Sequence, residues 1–263
     1  MRLGHHFRSA ASKHWSWILL ILSILPVLWL VNGVLNVREE AARSECAMRF
    51  NQLALALHNY HDTKGHFPPA FIAGPDGKPW HSWRVLILPY IEEHKVYDRY
   101  RFDEPWYGPN NRRLADKIHL QMFQCCSAKD YGKGLHTNIV AIVGAGTAFP
   151  GVEPTRLADF RDSGRHTILL AEYAGADIPW MEPRDLDAGA MSFLTNDRAA
   201  PSISSPHPVG PAVVFADGIS VFRIRPSVSA DTLSALVRMK NKKWIRRDDL
   251  ARHDRWNGAT LSE

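Results

Sequence analysis

The sequence predicts an α+β protein in which an N-terminal transmembrane helix continues into a long helix packed on an antiparallel β-sheet. Residues 15–37 run without a charge, apolar residues then recur at helical spacing, and short β-branched runs follow late in the chain. A helix needs about 20 predominantly apolar residues to cross a bilayer. Residues 15–37 supply 23. A secretory signal has an apolar core of about 7–15 residues and a small-x-small cleavage site, so a cut after Gly33 is the alternative reading of this longer run. Trp15, Trp17 and Trp29 suit the membrane interfaces or the lipid-facing surface, and Pro26 is a kink that a membrane helix tolerates.

Orientation follows from the flanking charges. Arg2, Arg8 and Lys13 precede the run with no acid among them, whereas Arg38, Arg43 and Arg49 are matched by Glu39, Glu40 and Glu45. The positive-inside rule then puts residues 1–14 in the cytoplasm, residues 15–37 across the inner membrane in a single pass, and residues 38–240 outside as one domain. A basic tail, residues 241–263, ends the chain. With 263 residues, 45% hydrophobic and 22% charged, the chain past the anchor is long enough for one packed core. The net charge is +5, and residues 238–255 alone hold eight Lys or Arg against three Asp.

The helix after the span is marked by Ala42, Cys46, Phe50, Leu53, Leu57 and Tyr60, one face at spacings of three and four. Lys64-Gly65 followed by Pro68-Pro69 ends it. Ser82 caps a second helix through Trp83, Leu86, Ile87 and Ile91, with Pro89 as a kink or early stop, and Asn110 caps a short one through Ile118. Residues 138–143 and 167–173 read as buried strands. Residues 213–225 read as a tight hairpin turning at Asp217-Gly218, and residues 231–238 as a late helix.

Cys46, Cys125 and Cys126 would lie where disulfides form, so Cys46 with Cys125 or Cys126 is a possible bridge, and small buried thiols are the equal alternative. The spacing lacks a paired C-x-x-C, and no metal site is expected from it.

At the motif level, Glu40 to Cys46, Leu57-His-Asn-Tyr-His-Asp62 and Phe67-Pro-Pro69 resemble the start of the pilin-like, planctomycete-type family of unknown function numbered 1559. So do Ser82 to Leu86 with Leu88-Pro-Tyr90, Arg101 to Trp106, Gly144 to Phe149, Ile178 to Leu186, and the spacing His207-x9-Asp217-Gly218. The resemblance implies a type IV pilin or pseudopilin architecture, with the membrane, the protein itself or secretion- and pilus-type envelope components as partners. The chain departs from the family's prepilin signal. Gly4 precedes His5-His6, and no Glu stands at the start of the apolar run. Where the family often has Cys-Pro-Ser, this chain has Cys125-Cys126-Ser127, so the resemblance does not assign a disulfide to one thiol.

Candidate sites are few. Trp180, Glu182, Arg184 and Asp185, in a loop with Pro179 and Pro183, have the composition to stack on a sugar or peptide and grip it through bidentate hydrogen bonds. The same loop could instead bind its own protein. Glu172 lies in an apolar strand, which calls for an internal partner or an exposed strand face. His58, His61, Asp62 and His66 cluster at the end of the long helix, where the macrodipole alone favours imidazoles. His207 and Asp217 read as a motif with a turn rather than a base and its orienting acid. Gly144-Ala-Gly146 lacks the third glycine and following helix of a phosphate loop. Nucleophile-elbow, H-E-x-x-H and paired-acid signatures are missing, so no catalytic residue and no cofactor is expected. Lys242 to Arg247 resembles a nucleic-acid patch, but a location outside the cytoplasm argues against nucleic acid. The sequence-based reading is a non-catalytic envelope protein presenting a globular head, with a solute- or glycan-binding module as the alternative.

Overall fold

The computed structural model describes residues 8–125, 135–160, 166–218, 221–240 and 251–253, and the side chains of these except 8–21 and 251–253. Cys126, residues 1–7 and Lys242 to Arg247 lie outside the described residues. The chain divides into two compact units, Met1–Ala41 and Ala42–Glu263.

In the first unit the chain is helical from Arg8, the start of helix α1, Arg8–Lys64. Its side chains from Leu22 to Val37 are exposed, Trp29 at 80%, and Pro26 lies within the helix. Among the described residues this is the one helix long and apolar enough to cross a membrane.

The second unit is built on the last third of α1. Cys46, Phe50, Leu53, Leu57 and Tyr60 are buried as their spacing predicts, while Met48 and Leu55 point to solvent. The helix stops where proline and glycine said it would. Gly65 takes φ +78, and its N–H donates to the His61 carbonyl at 2.7 Å.

Strands β1 (Phe71–Ala73) and β2 (Pro79–Ser82) form an antiparallel ribbon. Ser82 then caps α2, Trp83–Leu86, accepting from the Arg84 N–H. Pro89 converts the next turn into a 3-10 helix, Leu88–Ile91, so the expected single helix is two short pieces. Helices α3 (His94–Tyr97) and α4 (Pro109–Lys117) follow. The α4 cap differs from expectation. Gly108 is the N-cap and Asn110 is inside the helix, because the Glu104 carboxylate accepts from the N–H groups of Asn110 and Asn111 at 2.8 and 2.6 Å.

The remaining elements are β3 (His136–Thr137), β4 (Ile139–Val143), α5 (Leu157–Phe160), β5 (Ile168–Glu172), β6 (Ile178–Pro179), β7 (Leu186–Asp187), β8 (Ala212–Phe215), β9 (Val221–Ile224), α6 (Ala230–Val237) and β10 (Ala251–His253). A sheet runs β10-β9-β8-β5-β4-β7, antiparallel except where β7 lies parallel to β4. The expected hairpin is β8 and β9, with Val213 opposite Phe222. Val214 pairs with Val221, so Asp217-Gly218 is not a two-residue turn, and Gly218 lacks the positive φ of one; that part of the expectation is corrected.

Alternation along the strands sorts side chains to two faces. Ile139, Ala141, Leu170, Ala212 and Val214 join the α1 residues in one cluster. Val140, Ile142, Ala171, Val213, Phe215, Phe222 and Ile224 join Leu233, Leu236 and Val237 of α6 in another. The sheet is thus buried on both faces. The pairings Ile139 with Glu172 and Ala212 with Arg223 put that acid and that base on the α1 side.

Candidate functional site

The loop with the expected ligand-binding composition turns inward. Trp180 is 1% exposed, stacks on Phe123 at 6.1 Å and 10°, and donates through Nε1 to the Ile118 carbonyl at 3.3 Å. The Asp185 carboxylate, equally buried, accepts from Arg84 NH2 at 2.5 Å, from Trp83 Nε1 at 3.1 Å and from the Ala141 N–H at 2.9 Å. Burial pushes the Asp185 carboxyl up, and Arg84 and these donors pull it back. Glu182 and Arg184 remain nearer the surface, where they pair with each other at 2.9 Å. Two of the four residues expected to grip a ligand, Trp180 and Asp185, therefore hold α2, β4 and the 3-10 turn Gln121–Phe123 together.

Gly144-Ala-Gly146 is similarly occupied by its own chain, since Arg238 donates to the Ala145 carbonyl at 2.7 Å and Met239 to the Gly146 carbonyl at 2.8 Å. The late histidines of α1 do not converge. His61 Nε2 accepts from the Leu157 N–H at 3.2 Å, and His58 packs edge-on to Phe67. Burial lowers the His58 pKa, with nearby Asp62 and Asp217 opposing it. Asp217 thus sits by His58, while His207 faces elsewhere.

That other direction leads to the most concentrated chemistry in the described residues. Cys46, Cys125, Glu172 and His207 are buried together, with one ligand-type atom from each lying within 4.8 Å of the others. His207 Nε2 is 3.2 Å from Cys125 Sγ. Glu172 leans on the sheet through Oε2, which accepts from Arg223 NH1 and from the Ala212 N–H, both at 3.1 Å. Its other oxygen, Oε1, is buried without a hydrogen-bond partner. The cysteines carry no bond to each other. Thus the Glu172 alternative resolves as an internal partner, Arg223.

Four elements deliver these groups. Cys46 comes from α1 and Glu172 from the end of β5. Cys125 follows the 3-10 turn, and its N–H donates to Asn138 Oδ1 at 2.7 Å. Arg49, one turn below Cys46, holds that segment to α1 by donating to the carbonyls of Gln121 at 2.9 Å and Gln124 at 2.6 Å. His207 belongs to the loop before β8, where its N–H donates to Ser205 Oγ at 3.1 Å. It also lines a polar cleft of about 840 Å³ with Tyr173, Asn196, Asp197, Arg198 and Ser204. Arg49, Arg223 and this convergence were not read from sequence. Only the buried position of Glu172 and the basic residues inside apolar stretches hinted at them.

Residues 36–152 match the family model SBP_bac_10, described as a protein of unknown function (DUF1559). Over those residues the chain is similar to the family numbered 1559, in line with the motifs from Glu40 to Phe149. No curated protein and no solved structure matches the chain. Cys46 and Cys125 fall inside the matched span, Glu172 and His207 beyond it.

Proposed function

We propose that this protein is a non-catalytic, single-pass envelope protein of pilin-like build, anchored in the inner membrane by residues 15–37. Its head, from Ala42 onward, is offered outside the cytoplasm to further copies or to secretion- and pilus-type components. The supporting observation is α1 itself. One helix exposes apolar side chains from Leu22 to Val37 and buries them from Cys46 to Tyr60. Exposed apolar surface on that scale is stable in lipid and unstable in water. The sequence lacks nucleophile-elbow, H-E-x-x-H and paired-acid signatures, and the chemistry-bearing groups at Cys125 and His207 are buried. Protease added to intact spheroplasts should degrade the head, and crosslinking in envelopes should capture copies of the chain or secretion-type proteins. Full-length chain in the soluble fraction, or a head that resists protease until lysis, would overturn the reading. The chain departs from the prepilin signal at Gly4-His5-His6, and the mature N-terminus, read by mass spectrometry, tests the pilin part of the reading: a cut just before the apolar run would support filament processing.

A second reading, a solute- or glycan-binding module, is favoured by the cleft beside His207, whose volume suits a small ligand. It requires a ligand that raises the melting temperature of the purified chain, with no protein captured by crosslinking.

A further inference from the structure

We propose that Cys46, Cys125, Glu172 and His207 form a structural site for a borderline-soft divalent cation, with zinc the best match to the donors. Two sulfurs, one imidazole nitrogen and one carboxylate oxygen are a tetrahedral zinc donor set. Zinc bond lengths of about 2.0–2.3 Å set ligand atoms about 3.3–3.8 Å apart at the corners of a tetrahedron. The cluster already lies within 4.8 Å, and its Cys125–His207 edge is 3.2 Å. Closing it takes side-chain shifts of about 1 Å or less.

The carboxylate carries the strongest mark of a ligand. Arg223 and the Ala212 N–H hold Oε2 on the sheet, which leaves the buried Oε1 without a hydrogen-bond partner, and a carboxylate oxygen of Glu172 lies within 4.8 Å of the cysteine and histidine ligand atoms. Buried polar atoms are nearly always satisfied, and a cation satisfies this one. Ligating carboxylates at metal sites are in turn hydrogen-bonded by outer-sphere partners, the place Arg223 takes here. Charge closes as well. Two thiolates, one carboxylate, Arg223 and a divalent ion sum to zero, as suits a site buried this deeply. All four protein groups occupy the coordination sphere, so no open position is left for a substrate and the ion's role is structural. It ties α1 to the sheet and to the loop of His207, and the cleft lined by His207 gives it a way in.

Zinc binds cysteine as thiolate, so each ion taken up displaces one proton from each thiol, about two in all. The test uses the full-length chain in detergent, reduced and stripped with chelator, then titrated with zinc against a chromophoric competitor. One equivalent bound, proton release, and a higher melting temperature are expected. Cobalt added instead should give thiolate-to-cobalt charge-transfer absorption, a readout that needs no variant. Glu172→Gln and His207→Ala should weaken zinc at least about tenfold, the lower bound for losing even an outer-sphere partner. Failure to bind zinc stoichiometrically, cobalt absorption without the thiolate band, or a Cys46–Cys125 disulfide in chain taken directly from envelopes would each overturn the proposal.

Discussion

Asp185 shows how much of this head rests on single side chains. Its carboxylate meets Arg84 where both are buried, and both Trp83 and the β4 backbone donate to it. Substituting Asp185→Asn leaves the Arg84 guanidinium buried without its counter-ion, at a cost of about 3–5 kcal/mol in urea unfolding. A Glu182→Gln change at the exposed pair with Arg184 should cost under about 1 kcal/mol by the same measurement. Histidines set a pH dependence. Burial lowers the pKa of His81, opposed by the Phe102 backbone, and of His58, opposed by Asp62. A base whose folded pKa is depressed refuses a proton that the unfolded chain accepts. Stability should therefore be full above the ordinary value of 6.5 and fall as the pH drops from there to the folded pKa. Unfolding free energies measured across that window should slope less steeply in His81→Gln than in the unaltered chain.

Elements hold by which face they bury. On α1, Phe50 is fully buried in the cluster that includes β4, β5 and β8, whereas Met48 and Leu55 are 43% and 46% exposed. Phe50→Ala should cost about 3–5 kcal/mol and Leu55→Ala within about 0.5 kcal/mol, compared by denaturant titration. Capping gives a smaller effect. Ser229 Oγ accepts from the Thr232 N–H at the start of α6, and Ser229→Ala should cost about 1 kcal/mol. Gly210 adopts φ +103, and a Cβ there would sit 2.0 Å from the Ile224 carbonyl oxygen. Gly210→Ala should thus lower the melting temperature more than the cap change does, because backbone of β9 would have to move.

At the scale of the whole molecule, the two units differ in what they bury. Residues 22–37 leave their side chains exposed in this structure, on a helix long and apolar enough to cross a membrane. The head has its own core on both faces of its sheet. Deleting residues 1–37 should accordingly shift the head from the membrane pellet to the soluble fraction, checked by ultracentrifugation of a lysate. Adding carbonate or salt to the unaltered chain should not, because an inserted helix is not held by surface charge.

The chain by itself determined a helix long and apolar enough to cross a membrane, the stop of α1, the buried strands at 139–143 and 168–172 and the β8–β9 pairing, because each follows from periodicity, helix stops and apolar runs over neighbouring residues. Partners remote in sequence were decided by the tertiary structure. Asn110 looked like a cap until Glu104 folded back onto the helix start, and Trp180 and Asp185 looked like ligand contacts until α2, β4 and Phe123 closed over them. The same is true of Cys46, Cys125, Glu172 and His207, which lie tens of residues apart and share no local spacing. Helix and strand periods are written in adjacent side chains, but which buried donor meets which acceptor depends on sheet register and on the face each element turns inward.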